Sequence, residues 1–291
     1  MLLAERRQLK RKIVRQPRRR TPLRFRLLAL LSLPSVGLAQ APSASPGDAR
    51  WLVEQFFFAS AWPDKLRYYA GEMKQVYAEE RTLGEYGAQA RHESVRAIAL
   101  GDREAVYGVE LSIGTRIQDW YAYLAKGASG WQLRAVRTLA LPPLFFMLLD
   151  SLAAATTLPD SLAPLLENMR LVASSDSALK AFWSAQRPAI QRVADNFARE
   201  TVRSIAAAPD GLAAPTESLR ALAEQLRDLH LRGAWRDPEF PGCVFIEIGG
   251  MIDNEVGFMR CALDGDVPPI TPERFILVEP VTAEWYLYKT T

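Results

Sequence analysis

The stretch "EAVYGVELSIGTRIQDWYAYLAKGASGWQLRAVRTL" (residues 104–139) decides the fold, because its apolar and polar residues alternate with a period of two. This alternation is typical of β-strands that bury one face. We predict strands at residues 104–113, 117–126 and 131–139, joined by short Gly-containing turns. A fourth strand is predicted just upstream, at residues 92–99. Strands joined by such short turns form an antiparallel meander.

Before this sheet, apolar residues recur at helical spacing. The first helix carries a stripe of Trp51, Leu52, Phe56 and Ala59, and Asp48 is placed to cap it. A second helix is predicted after Pro63 and ends at residues 84–87; its buried face would hold Leu66, Tyr69, Met73, Val76 and Tyr77. Helices followed by a curled antiparallel sheet predict an α+β domain over residues 48–141.

Residues 142–215 are predicted to form a helical connector. Its first segment, residues 144–155, is apolar on nearly every side but too short to span a membrane. Two interpretations stay open for it: a helix buried between two domains, or an exposed segment that binds a partner. Helices are also predicted at residues 162–172 and from residue 174 or 175 to about 207, with a kink at Pro188.

The last part of the chain, residues 216–291, is predicted to be a second α+β domain. It opens with an amphipathic helix capped by Thr216. Strands are then predicted at residues 243–248, 256–262, 275–281 and 284–289, which gives a sheet built on hairpins.

The chain has two cysteines, Cys243 and Cys261, at the two ends of the first of these hairpins. Paired residues of an antiparallel hairpin have a constant sum of residue numbers. A sum of 504 places the two thiols opposite each other, pairs Ile248 with Val256, and leaves a loop at residues 250–254. A competing register with a sum of 507 separates the thiols. We favour the first register and a structural disulfide of about 3 kcal/mol.

The N-terminus, residues 1–41, has the three parts of a secretory signal peptide: a basic run, an apolar run at residues 27–38 and the small-x-small sequence Ala39-Gln40-Ala41. The alternative is an uncleaved membrane anchor, although the apolar run is shorter than the roughly 20 residues that span a bilayer. A signal peptide predicts a periplasmic or secreted protein, where cysteines form disulfides.

Removing this segment reverses the charge of the protein. Residues 1–41 carry 11 basic residues and one acid, so the remainder has 36 − 11 = 25 basic and 33 − 1 = 32 acidic residues, a net charge of −7. An acidic chain is unsuited to binding phosphate backbones, which excludes nucleic acid as a predicted partner.

The sequence "WYAYLAKGASGWQLRAVRTLALP" (residues 120–142) resembles the last hairpin of the nuclear-transport-factor-like, or SnoaL-like, cone superfamily. The resemblance covers residues 48–141, and it includes the order of helices before a curled sheet. It implies a cone-like fold for these residues. Members of the superfamily include enzymes, binding modules and protein-interaction domains, so the resemblance implies no particular chemistry.

Five residues are candidates for lining a pocket in the cone-like domain: His92, Tyr107, Asp119, Tyr121 and Tyr123. Pockets combine aromatic walls with a few polar groups, which is the pattern of these strands. The competing interpretation is that the tyrosines fill the sheet face as core residues. We predict no catalytic residues, no metal site and no cofactor, because no acid–base pair, ligand cluster or phosphate-binding motif can be placed by spacing.

We therefore expect an exported, non-catalytic protein that binds another protein or a cell-envelope component. One version is an immunity-type protein that neutralises a toxin in the periplasm, since an acidic chain favours encounter with a basic partner. The alternative is a small-molecule-binding protein or enzyme that uses the pocket of the cone-like domain. After signal removal, no stable membrane span is expected.

Overall fold

A computed structural model describes residues 44–86, 90–114, 116–207, 216–251, 253–262 and 264–291. Within these ranges the chain is α+β, as predicted, with two antiparallel sheets and six α-helices. The predicted signal peptide, residues 1–41, lies outside the described residues. None of the described helices combines the length and the apolar character that a membrane span requires.

The first sheet is the predicted meander. Its strands β1 (Ala90–Leu100), β2 (Glu104–Ile113), β3 (Arg116–Gly127) and β4 (Gly130–Arg137) pair in chain order. The tight turns use the left-handed backbone that glycine tolerates, with φ of 64° at Gly114 and 106° at Gly130. The period-two alternation therefore predicted all four strands, each to within two residues at either end.

One face of this sheet is covered by α1 (Ala49–Phe58), a 3-10 turn (Lys65–Tyr68) and α2 (Gly71–Gln75). The continuous helix predicted after Pro63 is wrong. The backbone is extended at Tyr69 and Ala70, the Ala70 N–H donates to Leu133 O on β4 over 2.9 Å, and Gly71 has a positive φ of 52°. Leu66, Val76 and Tyr77, predicted to be buried, are consequently exposed.

The middle of the chain forms α3 (Pro143–Ala154), α4 (Ala163–Val172), α5 (Asp176–Arg199) and, further along, α6 (Glu217–Asp228). The hydroxyls of Ser175 and Thr216 cap α5 and α6, as predicted, whereas Asp48 makes no side-chain cap to α1. The α5 helix ends at Arg199 and not near residue 207. Arg236 Nη2 donates to the Phe197 carbonyl oxygen at 2.7 Å, and the chain then continues as a short strand.

The second sheet contains β5 (Ser204–Ala206), β6 (Gly233–Trp235), β7 (Cys243–Met251), β8 (Asn254–Cys261), β9 (Phe275–Pro280) and β10 (Trp285–Thr290). Its spatial order is β5-β6-β7-β8-β10-β9. The four longer strands were predicted. The two three-residue strands β5 and β6 were missed, because three residues carry too little alternation to be recognised.

The β7–β8 hairpin has the favoured register at its open end. Cys243 lies opposite Cys261, and the two form a disulfide. A β-bulge after Glu247 then shifts the pairing, so that Val256 faces Gly249, not Ile248, and the pairing extends to Met251 and Asn254. Asn168 on α4 stabilises the bulge, because its Nδ2 donates to Ile248 O at 2.6 Å and to His230 O at 2.7 Å. The five-residue loop predicted at 250–254 is therefore wrong.

From residue 43 onward the chain forms one compact unit. A single hydrophobic cluster joins the second face of the first sheet to the helices α4–α6 and to one face of the second sheet; it includes Tyr121, Trp183, Phe197, Phe258 and Leu287. The predicted boundaries near residues 142 and 216 stay a prediction, but the segments on either side of them share this core.

Candidate functional site

The site begins with two residues on one face of β3. Asp119 and Tyr121 alternate with Trp120, so they point to the face that packs against α5 and the second sheet, while Trp120 and Ala122 pack against α1. Only about 3% of the Asp119 side chain is exposed. A buried carboxylate needs partners, because desolvation of its charge is costly.

The first partner is the N-terminus of α5. The backbone N–H of Asp176, in the first turn of this helix, donates to Asp119 Oδ2 at 2.9 Å. The Asp176 carboxylate in turn accepts the Tyr121 hydroxyl at 2.9 and 3.0 Å. Both carboxylates therefore lie where the unsatisfied N–H groups and the dipole of a helix favour negative charge.

The second partner is Lys289, which reaches the site from β10. Its Nζ lies 3.1 Å from Asp119 Oδ2 and 2.7 Å from Asp176 Oδ1, and its side chain is as buried as that of Asp119. Burial alone would lower the pKa of Lys289, but the two carboxylates hold it above its usual value. Lys289 therefore stays charged and links the C-terminal strand to the first sheet.

Asp176 has a further partner in Arg96 on β1, which also lies 3.2 Å from Glu279 on β9. The Arg96 side chain reaches them by crossing Gly108 on β2, since a Cβ built there would stand 2.9 Å from Arg96 Cζ. A side chain at this position would have to displace the Arg96 guanidinium and the end of the Ile98 side chain.

These contacts define what we call the charge cluster: Arg96, Glu110, Asp119, Tyr121, Asp176, Lys180, Glu279 and Lys289. It contains three cations and four carboxylates.

The two aspartates of the charge cluster have opposite pKa shifts. Burial raises the pKa of Asp119 to about 6, and neighbouring Asp176 adds to the rise against the opposing effect of Lys289. Burial also acts to raise the pKa of Asp176, but Lys289 and Arg96 hold it below its usual value. Of these two aspartates, Asp119 is therefore the one that takes up a proton first as the pH falls.

One side of the charge cluster borders a partly open pocket of about 330 Å³. Asp119 and Lys289 form part of its wall, together with Thr138 and apolar side chains such as Leu141, Phe146 and Val172. The Oδ1 atom of Asp119 is buried and has no hydrogen-bond partner among the described residues. The pocket wall also includes the polar residues Arg116, Gln118 and Ser174, so polar and apolar side chains are mixed in it.

The α3 helix lies at the mouth of this pocket. Arg116, at the start of β3, bonds Asp150 and stacks over the Phe146 ring, with Cζ 4.5 Å from the centroid. Among the large apolar residues of α3 only Phe145 is buried, and Leu144 and Met147 are 70% and 66% exposed. The interpretation of this segment as a helix buried between two domains is therefore wrong.

The five predicted pocket residues separate in the structure. Asp119 lines the pocket, Tyr121 bonds Asp176 behind it, and the Tyr123 hydroxyl donates to Ile276 O on β9 at 2.6 Å. Tyr107 points to the opposite face of the sheet and packs in the core beneath α1. His92 lies on β1 opposite Leu111, and its side chain falls outside the described part of the chain.

The sequence reasoning missed Arg96, Asp176 and Lys289. One signal was available for Lys289, since it follows Trp285 and Leu287 at a spacing of two and therefore shares their buried face. Asp176 resembled an ordinary residue in the first turn of a helix, and no sequence pattern distinguishes it.

A second polar group lies on the other sheet. Glu247 and Glu255 line a cavity of about 420 Å³ beside Arg232 and Trp235. Burial, and then the nearby Glu247 carboxylate, raise the pKa of Glu255 to about 7. Across the described residues, no set of three or more His, Cys, Asp or Glu side chains is grouped closely enough to hold a metal ion.

We expect Gly108→Ala to destabilise the protein by about 1–3 kcal/mol, the usual cost of overpacking a core. The new methyl group would displace the Arg96 guanidinium from Asp176 and Glu279, and it would also press on Ile98 Cδ1 at 3.0 Å. Urea denaturation measures the loss. Gly265→Ala is the control, because a Cβ at Gly265 meets no atom within 4 Å. Equal stability of the two variants would contradict the crossing of Arg96 over Gly108.

No family model, curated protein or solved structure matches this chain.

Proposed function

We propose that the protein is an exported, non-catalytic binding protein of the cell envelope, and that it holds a protein partner on an apolar surface centred on α3. The single observation that supports this most is the concentration of exposed apolar side chains around that helix. Eleven large hydrophobic residues are exposed in the described part of the chain, and six of them lie here: Ile113, Ile117, Leu144, Met147, Leu148 and Leu165.

We call these six residues the apolar surface. Leu144, Met147 and Leu148 share one side of α3 at helical spacing, Leu165 is on the neighbouring helix α4, and Ile113 and Ile117 flank the β2–β3 turn at the pocket mouth. Exposed apolar patches usually mark interaction sites. Most of the binding free energy at such sites comes from a few large side chains that become fully desolvated on binding.

The occupant that we propose is a protein with an apolar anchor and a basic rim. The net charge of −7 for residues 42–291 favours encounter with a basic surface. An immunity-type role against a basic toxin is one form of this proposal. The disulfide at Cys243–Cys261 supports an oxidising location, which is where the N-terminal sequence would deliver the chain.

The cone-like character of residues 48–141 also belongs to this proposal. An antiparallel meander with α1 and α2 on one face is consistent with it. In this arrangement the opposite face, which carries Asp119 and Tyr121, packs against α5 and the second sheet.

The test is affinity capture from the envelope fraction of the host, using the chain tagged at its C-terminus. Leu144→Ser should weaken capture of a stoichiometric partner by roughly 10- to 100-fold, since burial of a leucine contributes about 1.5–3 kcal/mol. The matched control is Leu100→Ser, because Leu100 is 67% exposed but lies at the end of β1, where it pairs with Ala105, roughly 25 Å along β2 from Ile113. Equal retention by both variants, or equal loss, would contradict the proposed surface.

A further inference from the structure

The pocket beside the charge cluster opens within the apolar surface. Ile113 and Ile117 belong to both of them. Phe146 lines the pocket from α3, the helix that exposes Leu144 and Met147. A partner that is seated on the apolar surface would therefore cover the mouth of the pocket. The side chains that dominate the binding free energy of an interface usually enter such pockets.

The charged groups of the pocket wall do not require an ionic occupant, because each of them is already paired. Arg116 bonds Asp150 at the mouth. Lys289 bonds both Asp119 and Asp176. Asp119 and Lys289 each expose only 3% of their side chains, so they offer almost no surface to a ligand. A charged group placed here would lose its hydration without gaining a free counter-ion, and the occupant is therefore uncharged.

The uncharged polar side chains of the wall are also bonded within the protein. Gln118 Nε2 donates to the Thr138 hydroxyl at 3.2 Å, and this hydroxyl donates to the Asp119 carbonyl oxygen at 2.7 Å. The Ser174 hydroxyl donates to the Arg170 carbonyl oxygen at 2.7 Å. The wall therefore needs no polar group from an occupant, and its apolar part determines what fits.

This apolar part favours an aromatic ring. Leu141, Phe146 and Val172 line the pocket, and the Arg116 guanidinium, whose side chain is 43% exposed, stacks over the Phe146 ring at the mouth. Aromatic rings pack well against other rings and beside guanidinium groups. A volume of about 330 Å³ is at the small end of the range for binding pockets, which suits one large side chain.

We propose that this pocket receives one uncharged aromatic side chain, a tyrosine or phenylalanine, from the protein that binds the apolar surface, and that its ring packs against Phe146 and Val172. This inference rests on the proposed function, because it names the anchor of the same interface. It adds a requirement that exposed leucines and isoleucines alone do not impose: the partner must present an aromatic residue that can enter the pocket while its neighbours contact Leu144 and Met147.

The first experiment tests the pocket without the partner. The ¹⁵N-labelled protein is titrated with p-cresol, which is the side chain of tyrosine, and with benzylamine and benzoate as charged aromatic probes of similar size. We expect p-cresol to shift the amide signals of Thr138, Ala140 and Ala173, which line the pocket, with a Kd of about 1 mM. The two charged probes should bind at least about tenfold more weakly, because the pocket offers them no free counter-ion.

The second experiment connects the pocket to the partner, through affinity capture from the envelope fraction of the host. Ala173→Phe places a ring in the pocket, so it should abolish binding of p-cresol and weaken capture of the partner at least about tenfold. The matched control is Ala221→Phe, because Ala221 is exposed on α6, which contributes no residue to the pocket wall. Free p-cresol at ten times its Kd should weaken capture by the wild type about tenfold, whereas benzoate at the same concentration should not. This competition needs no variant, so it decides the matter even if Ala173→Phe fails to fold.

Three results would overturn the anchor pocket and leave the apolar surface standing: no binding of p-cresol to the folded wild type, equal affinity for p-cresol and the charged probes, or capture of the partner that p-cresol does not weaken. In each of these cases Leu144→Ser would still weaken capture. If no captured partner depended on Leu144, the proposed function would be wrong, and the anchor pocket would be wrong with it.

Discussion

Lys289→Met is expected to lower the free energy of unfolding by about 3–5 kcal/mol at pH 8, the usual cost of removing one partner from a buried ion pair. Methionine matches the length of the lysine side chain, so packing is largely kept and the loss of charge is what is measured. Asp119 would then keep only the backbone N–H of Asp176, at 2.9 Å, whereas the Asp176 carboxylate would keep Tyr121 and Arg96.

The loss of unfolding free energy caused by Lys289→Met should depend on pH. Without Lys289, the folded state holds a carboxyl group whose pKa is raised even further than that of Asp119 in the wild type, which is about 6. A carboxyl group with a raised pKa binds more protons in the folded state, so stability falls as pH rises through that range. Lys289→Met should therefore be least harmful near pH 5 and most harmful at pH 8.

Denaturation with guanidinium chloride at the two pH values measures this effect. Lys126→Met is the matched control, because Lys126 is an exposed lysine on β3 and its replacement should change stability by no more than about 0.5 kcal/mol. Adding Asp119→Asn to Lys289→Met should restore part of the loss, since the amide removes one uncompensated charge. If Lys289→Met matched Lys126→Met at both pH values, the charge cluster would have no structural role.

The second large effect is expected from the disulfide. Replacing Cys243 and Cys261 together by alanine should cost about 3 kcal/mol, because the bond closes a loop of 18 residues in the unfolded chain. In a protein of this size such a loss lowers Tm by roughly 6–12 °C. Both cysteines are buried in the cluster with Phe245 and Tyr288, so alanine is preferred to serine, whose hydroxyl would need a partner.

A reductant separates the bond from the packing of the sulfur atoms. Dithiothreitol should lower the Tm of the wild type by most of this difference and leave the double alanine variant unchanged. The opposite result, an unchanged wild type together with two thiols that alkylate before reduction, would show that the bond does not form in the protein as isolated.

The strands were predictable because their signal is local. Alternation with glycine turns located β1–β4 and the four longer strands of the second sheet, and the sum of residue numbers placed Cys243 opposite Cys261. The bulge after Glu247 was not predictable, because it depends on Asn168, which is 80 residues away in sequence. The prediction of a continuous second helix was wrong for a similar reason, because Tyr69 and Ala70 pair with β4 and do not continue a helical turn.

The candidate site was predictable only in part. Asp119 and Tyr121 were singled out because they lie on a predicted strand, but other members of the charge cluster come from β1, α5, β9 and β10. A charged residue in isolation is usually on a solvated face, so Asp176 carried no local sign of burial, and the sign for Lys289 was limited to its spacing from Trp285 and Leu287. The exposure of α3 was one of two interpretations of the same apolar segment, and packing alone decides between them.

The central claim is that α3 presents the apolar surface to a partner, and hydroxyl-radical footprinting tests it directly. Met147 is a native reporter, since it is reactive and 66% exposed on this helix. The labelled chain would be oxidised alone and in the envelope fraction of the host, and the rate at each residue compared with its own rate in the free protein. The account predicts strong protection at Met147 and Leu148, with no change at Leu100. Protection confined to other surfaces, with Met147 oxidised at the same rate in both samples, would contradict it.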